Sequence, residues 1–128
     1  MAENHPNLAL LMRFDPTNIA KSADVFAEDA VWHYFNPRLP DLEGDYVGLA
    51  GLRDFFAKLA AATEGTFKVD PISATPVGDE LVVMHTRNTM TLPGEEVVTD
   101  VVLVWRIVDG RIAEVWDIPS VYGGSGDP

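Results

Sequence analysis

VVTDVVLVWRIVDGRIAEVWDIP, residues 97–119, is two β-branched and aromatic runs hinged on Asp109-Gly110. An Asp-Gly pair between such runs predicts a hairpin with a two-residue type I′ turn. Val108 then pairs with Arg111, and Val102 falls opposite Asp117. The preceding run, Leu81–Thr91, meets this hairpin through Pro93-Gly94. Pairing Leu92 with Glu95 sets Arg87 opposite Asp100 and His85 opposite Val102. Directly opposed residues share a sheet face. One face is therefore expected to carry Val83, His85, Arg87, Asp100, Val102, Val104, Val115 and Asp117, and the other Met84, Thr86, Val101, Leu103, Trp105, Ile112, Trp116 and Ile118. Asp100 and Asp117 become diagonal neighbours roughly 7–8 Å apart. A slip of one residue in either turn would disperse this polar group.

Outward from the meander, Leu8, Leu11 and Met12 have helical spacing over Asn7–Arg13, and Thr17 or Asn18 can cap a second helix reaching about Ala27. Ala30–Phe35 reads as a strand that stops at Pro37, and Arg38–Tyr46 as a loop. Leu52, Phe55, Phe56 and Leu59 form one stripe of a helix over Leu49–Ala62. After Gly65 come four β segments: Phe67–Ala74, Leu81–Thr91, Val97–Val108 and Arg111–Ile118. Helices followed by an antiparallel meander predict an α+β fold with helices on one face of a curved sheet. Residues 1–128 read as one domain, flexible at 1–6 and 123–128.

With 20 acidic against 9 basic residues the net charge is −11, which argues against nucleic acid as a partner. No apolar run approaches the length of a membrane span, and the start lacks the pattern of a signal peptide, so a cytoplasmic address is expected. Without cysteine there are no disulfides and no thiol chemistry. His5, His33 and His85 have no ligand spacing, and no phosphate-binding or nucleophile-elbow motif occurs, so neither metal nor cofactor is expected.

Acid/base chemistry remains. Asp117 would be a carboxyl among Val102, Ala113 and Val115, where desolvation raises its pKa; the bland alternative is a solvated aspartate at a strand end. His85 could shuttle protons or be a satisfied core histidine. Arg87 and Asp100 most simply form a structural ion pair, the alternative being that Arg87 clamps a substrate oxyanion. His33 shares a face with Val31 and Phe35 and could line a cavity mouth, while Tyr122 could close the cavity from the C-terminal side.

The phrases FAEDAVWH (26–33), GDYVGLAGLRDFF (44–56) and VDGRIAEVWDIPSVYG (108–123) resemble the SnoaL-like branch of the nuclear transport factor 2-like (NTF2-like) superfamily. The resemblance implies a cone in which a curved, mostly antiparallel sheet wraps around N-terminal helices and encloses a hydrophobic pocket. It implies a hydrophobic small-molecule ligand, no cofactor, and homodimers packed sheet against sheet, which would cover the Met84/Leu103/Trp116 face. It implies acid/base catalysis of the cyclase, lyase or isomerase kind on a carbonyl compound, with Asp117 as the pocket acid; the expected sheet faces then cast His85 as assisting and Arg87 or His33 as stabilising an enolate. Asp100 completes the catalytic group, and Phe14, His33, Val102, Val115 and Tyr122 would line the pocket. A non-catalytic ligand-binding or dimerisation domain is the alternative.

Overall fold

The structure, a computed structural model, describes residues 5–15 and 18–120. Thr17, Tyr122 and the terminal segments 1–4 and 123–128 lie outside the described residues. Helix α1 (Pro6–Leu11) opens on Pro6, and the His5 side chain caps it by accepting from the Asn7 N–H at 3.1 Å. The expected second helix is a single 3₁₀ turn, Ile19–Ser22, whose cap is Asn18. Strand β1 (Phe26–Tyr34) starts four residues earlier than expected, because Val25 and Phe26 join the sheet: the Val25 carbonyl accepts from Ile112 N–H at 2.8 Å. The expected loop contains a short edge strand, β2 (Gly44–Val47). Gly48 then opens helix α2 (Gly48–Ala62) at φ +70°, and a Cβ there would sit 3.2 Å from the Glu28 carbonyl, so the position suits glycine on two counts.

Strands β3 (Lys68–Val77), β4 (Leu81–Leu92), β5 (Glu95–Val108) and β6 (Arg111–Pro119) complete one open six-stranded sheet in the order β2-β1-β6-β5-β4-β3. All pairs are antiparallel except β1 with β6. Helix α2 lays Leu52, Phe55 and Leu59 on the concave side, against Trp32, Trp105 and their neighbours. Among the described residues no helix is long and apolar enough to cross a membrane.

The β4–β5 register is the expected one, with His85 opposite Val102 and Arg87 opposite Asp100. The Asp109-Gly110 turn is also as expected: both residues have positive φ (52° and 76°) and Val108 pairs with Arg111. Beyond it the pairing shifts. Ile107 faces Ile112, but Arg106 faces Glu114, so Ala113 is an extra residue in β6, a β-bulge. Asp117 consequently pairs with Leu103 instead of Val102. Val115 and Asp117 turn to the concave side with Leu103 and Trp105, and Glu114, Trp116 and Ile118 turn to the convex side. This reverses the expected placement of Val115, Trp116, Asp117 and Ile118. It also removes the reason to expect Met84 and Leu103 at a sheet–sheet interface, since both line a cavity under the helices.

Deleting Ala113 would remove the bulge while keeping Glu114 opposite Arg106 and Asp117 opposite Leu103, so every side chain beyond it keeps its face. Cooperative thermal unfolding, followed by circular dichroism, is expected to persist, at a midpoint lowered only by the lost local twist. Ala113→Gly, which keeps the bulge, is expected to cost no more than about 1 kcal/mol.

Candidate functional site

Under α2 the concave face encloses a cavity of about 280 Å³. Its walls are aromatic and aliphatic: Phe14 after α1, Phe55, Phe56 and Leu59 from α2, Met84 and Met90 from β4, Leu103 and Trp105 from β5. Phe14 packs edge-on against Trp105, also touches Trp32 and Phe56, and lines the cavity. A few polar groups interrupt this lining: Asp117, Tyr34, Asn36, Thr86, Asn88 and Thr99.

Asp117 is the acid among the lining residues. Its side chain is largely buried and forms part of the cavity wall. Its Oδ2 accepts one long hydrogen bond from Trp32 Nε1, 3.3 Å. Burial pushes the carboxyl up to about 7, and the Trp32 N–H offsets only part of that. Tyr34 is the partner of Asp117 across the parallel β1–β6 pair. Its hydroxyl accepts from Asn36 Nδ2 at 3.0 Å, and burial, with the nearby Asp117 charge adding to it, raises the phenol well above its ordinary value. Tyr34 therefore stays protonated and able to donate. Thr86 Oγ1 donates to Asn88 Oδ1 at 2.9 Å. Trp105 Nε1 is the one buried side-chain polar atom among the described residues that lacks a hydrogen-bond partner, and its ring is held at right angles to Trp32.

The remaining expected site residues lie elsewhere. His85, Arg87, Asp100 and Val102 are on the convex face, across the sheet from Asp117. His85 Nε2 and Arg87 Nε meet the same oxygen, Asp100 Oδ1, at 2.8 and 3.2 Å. The His85 hydrogen bond, reinforced by Arg87, holds the exposed Asp100 carboxyl below its usual range. The structural ion pair is thus present, and a clamp on a ligand in the cavity is not. Val115 is buried between Trp32 and Trp105, its partners on either side, and is core instead of cavity surface.

His33 is also on the convex side. Its Nδ1 lies 2.7 Å from Asp45 and its Nε2 2.6 Å from Glu114, and the ring stacks on Trp116 at 5.5 Å. Two acceptor carboxylates call for two ring donors, which only the imidazolium supplies. Burial opposes that charge, but the Glu114 and Asp45 hydrogen bonds outweigh it and raise the pKa. Arg106 covers the other part of this cluster, over Trp116 and bridging Glu80 and Glu114. The sequence carried a signal for what was missed: Trp32 and Tyr34 alternate with His33, so one face of β1 had to hold both.

A curved open sheet wrapped around helices, with an apolar cavity between them, is the NTF2-like cone fold. The chain belongs to the SnoaL-like domain family, whose sequence profile matches residues 9–115. No curated protein matches the sequence. Among solved structures, the fold is similar to Bal32a from a soil-derived mobile gene cassette (TM-score 0.79, 22% identity, 93% of this chain and 92% of that chain covered). It is similar also to TerC co-crystallised with polyporic acid (TM-score 0.76, 23% identity, 88% and 90% covered). A Catenulispora acidiphila protein with a ketosteroid isomerase-like fold, in complex with trimethylamine, aligns with a TM-score of 0.71 at 15% identity, covering 88% of this chain and 85% of that one.

Two pH limbs are expected in the stability. The folded pKa of Asp117 is raised from 3.8 to about 7, so the folded state keeps a proton that the unfolded state has lost. Stability should fall as pH rises from about 4 to about 7, by at most about 4 kcal/mol, and level off above that. His33, raised above 6.5, contributes fully below about 6.5, and its contribution is lost as pH rises through the folded value. In urea titrations across pH, Asp117→Asn should remove the first limb and exceed the parent in stability at pH 8. His33→Gln should remove only the second.

Proposed function

We propose that this protein is a cofactor-independent acid/base enzyme acting on a hydrophobic, carbonyl-bearing small molecule, of the lyase, cyclase or isomerase kind. One observation carries the reading: the Asp117 carboxyl sits in an apolar cavity with a pKa pushed up to about 7. A group divided between its two forms near neutral pH can both take and return a proton. The apolar walls suit an organic ligand, and the two fold neighbours solved with polyporic acid and trimethylamine support a small-molecule pocket.

The Asp117 carboxylate removes a proton from the carbon next to a carbonyl. The electron pair of that C–H bond passes to the carbonyl oxygen, and the Tyr34 hydroxyl donates to the enolate that forms. Asn36 orients Tyr34 through its amide at 3.0 Å. The carboxylic acid of Asp117 then returns the proton to a second carbon, to a departing oxygen, or to the oxygen of a second carbonyl that the enolate carbon attacks. Tyr34 thus takes the stabilising role expected for Arg87 or His33, and no part falls to His85 or Asp100, because those four residues face away from the cavity.

The same reading includes a homodimer, on the opposite face from the one expected. Val83, Val102 and Ile118 are 39%, 39% and 51% exposed on three neighbouring convex strands, an apolar surface that a second sheet would cover.

Deuterium wash-in next to the carbonyl of apolar ketones, read by NMR, tests the chemistry without a known substrate. Asp117→Asn is expected to lower the exchange rate by about 10²–10⁴-fold; exchange as fast as the parent's would rule out Asp117 as the base. Sedimentation should give a dimer that Val102→Glu splits to monomers, whereas a parent monomer would refute the interface.

A further inference from the structure

A groove of about 880 Å³ lies beside the cavity, between the 3₁₀ turn at Ile19, helix α2 and the start of β3. Phe56, Leu59, Phe67 and Val69 line both spaces, so the cavity and the groove adjoin along these four side chains. On α2, Arg53, Phe56, Ala57 and Ala60 recur at helical spacing and all border the groove. Arg53 therefore belongs to the groove-facing stripe, and Lys68 borders the opposite wall.

The charge pattern sets this groove apart. Five of the nine basic side chains, Arg13, Arg38, Lys58, Arg87 and Arg106, each meet a carboxylate. The other four, Lys21, Arg53, Lys68 and Arg111, form no ion pair among the described residues although the chain carries 20 acids, and two of them, Arg53 and Lys68, border this one groove. Asp54, the acid next to Arg53, is taken by Lys58 at 3.2 Å. Two uncompensated cations on an apolar groove that adjoins an apolar cavity are a site for an amphipathic anion.

We propose that the ligand is an elongated apolar molecule bearing a carboxylate, its apolar body in the cavity and its carboxylate in the groove between Arg53 and Lys68. This rests on the reading that the cavity takes an apolar small molecule, and it adds an anionic end to that substrate class. A planar guanidinium takes a carboxylate through two parallel N–H donors, which makes Arg53 the stronger anchor. The overall charge of −11 repels anions at long range, so the two cations act at contact distance, within about a Debye length.

The test uses N-phenyl-1-naphthylamine, a neutral fluorescent dye, as reporter of the apolar cavity, displaced by decanoate or by 1-decanol. Decanoate should compete better in the parent. In Arg53→Gln/Lys68→Gln its inhibition constant should rise roughly five- to tenfold, as expected for two partly exposed charge contacts, with 1-decanol unchanged. Arg53→Lys should recover part of the loss. Absence of dye binding to the parent would overturn the apolar-cavity reading together with this one. Dye binding with decanoate indifferent to the double substitution would overturn the anionic end alone. An equal loss for both competitors would also overturn it, because the groove would then be acting through its apolar wall.

Discussion

The single extra residue at Ala113 decides which chemistry faces the cavity. Regular alternation would put Asp117 beside His85 and Asp100 on one surface and Trp116 on the other. The bulge exchanges them, so the acid looks into the cone and the indole stacks on His33 outside. The reason is electrostatic. Unbroken alternation from Ile112 would carry Glu114 onto the concave face, beneath the aromatic core. A bulge that leaves one backbone residue unpaired costs far less than burying a second carboxylate without a partner. Outside, Glu114 finds His33 at 2.6 Å and Arg106 at 3.7 Å.

The bulge also marks how far the fold is legible in the sequence. Turn chemistry at Pro93-Gly94 and Asp109-Gly110 was legible because each turn needs particular residues, and it led to the correct β4–β5 register and the correct first pair of β5–β6. The long helix was legible from one apolar stripe. The bulge had no residue signature of its own, since alanine does not announce one. Its trace was indirect: Glu114 falls between Ile112 and Trp116 on the face that alternation makes apolar. The short edge strand β2 was hidden among Pro40, Gly44 and three acids, and its pairing with β1 is a tertiary fact. Val25 and Phe26 read as helix because their spacing fits one, but a parallel pairing with Ile112 outweighs local propensity.

Charge is distributed in the site by the same cost. His33, His85, Arg87, Asp100 and Arg106 all reach water on the convex side, where each finds an oppositely charged partner. Inside, one carboxyl stands with a single indole donor at 3.3 Å, a phenol and a ring of hydrocarbon. Grouping His85, Arg87 and Asp100 with Asp117 in one polar site, as alternation suggests, would have given Asp117 cationic neighbours and so lowered its pKa. Their removal to the other face is what lets burial dominate and brings the carboxyl to about 7.

Such a carboxyl is a liability for folding, since ionising it under native conditions is resisted by every apolar neighbour. The aromatic cluster of Phe14, Trp32, Phe55, Phe56 and Trp105, with ring centroids 4.9 to 6.1 Å apart where they touch, supplies large buried area around it. The cluster serves both ends of the balance. Its packing stabilises the cone, and its dryness sustains the raised pKa. Stability and the proton-transfer capacity of Asp117 are therefore coupled through the same side chains. A substitution that admits water beside Trp32 would weaken the core and return Asp117 towards an ordinary carboxylate in one step.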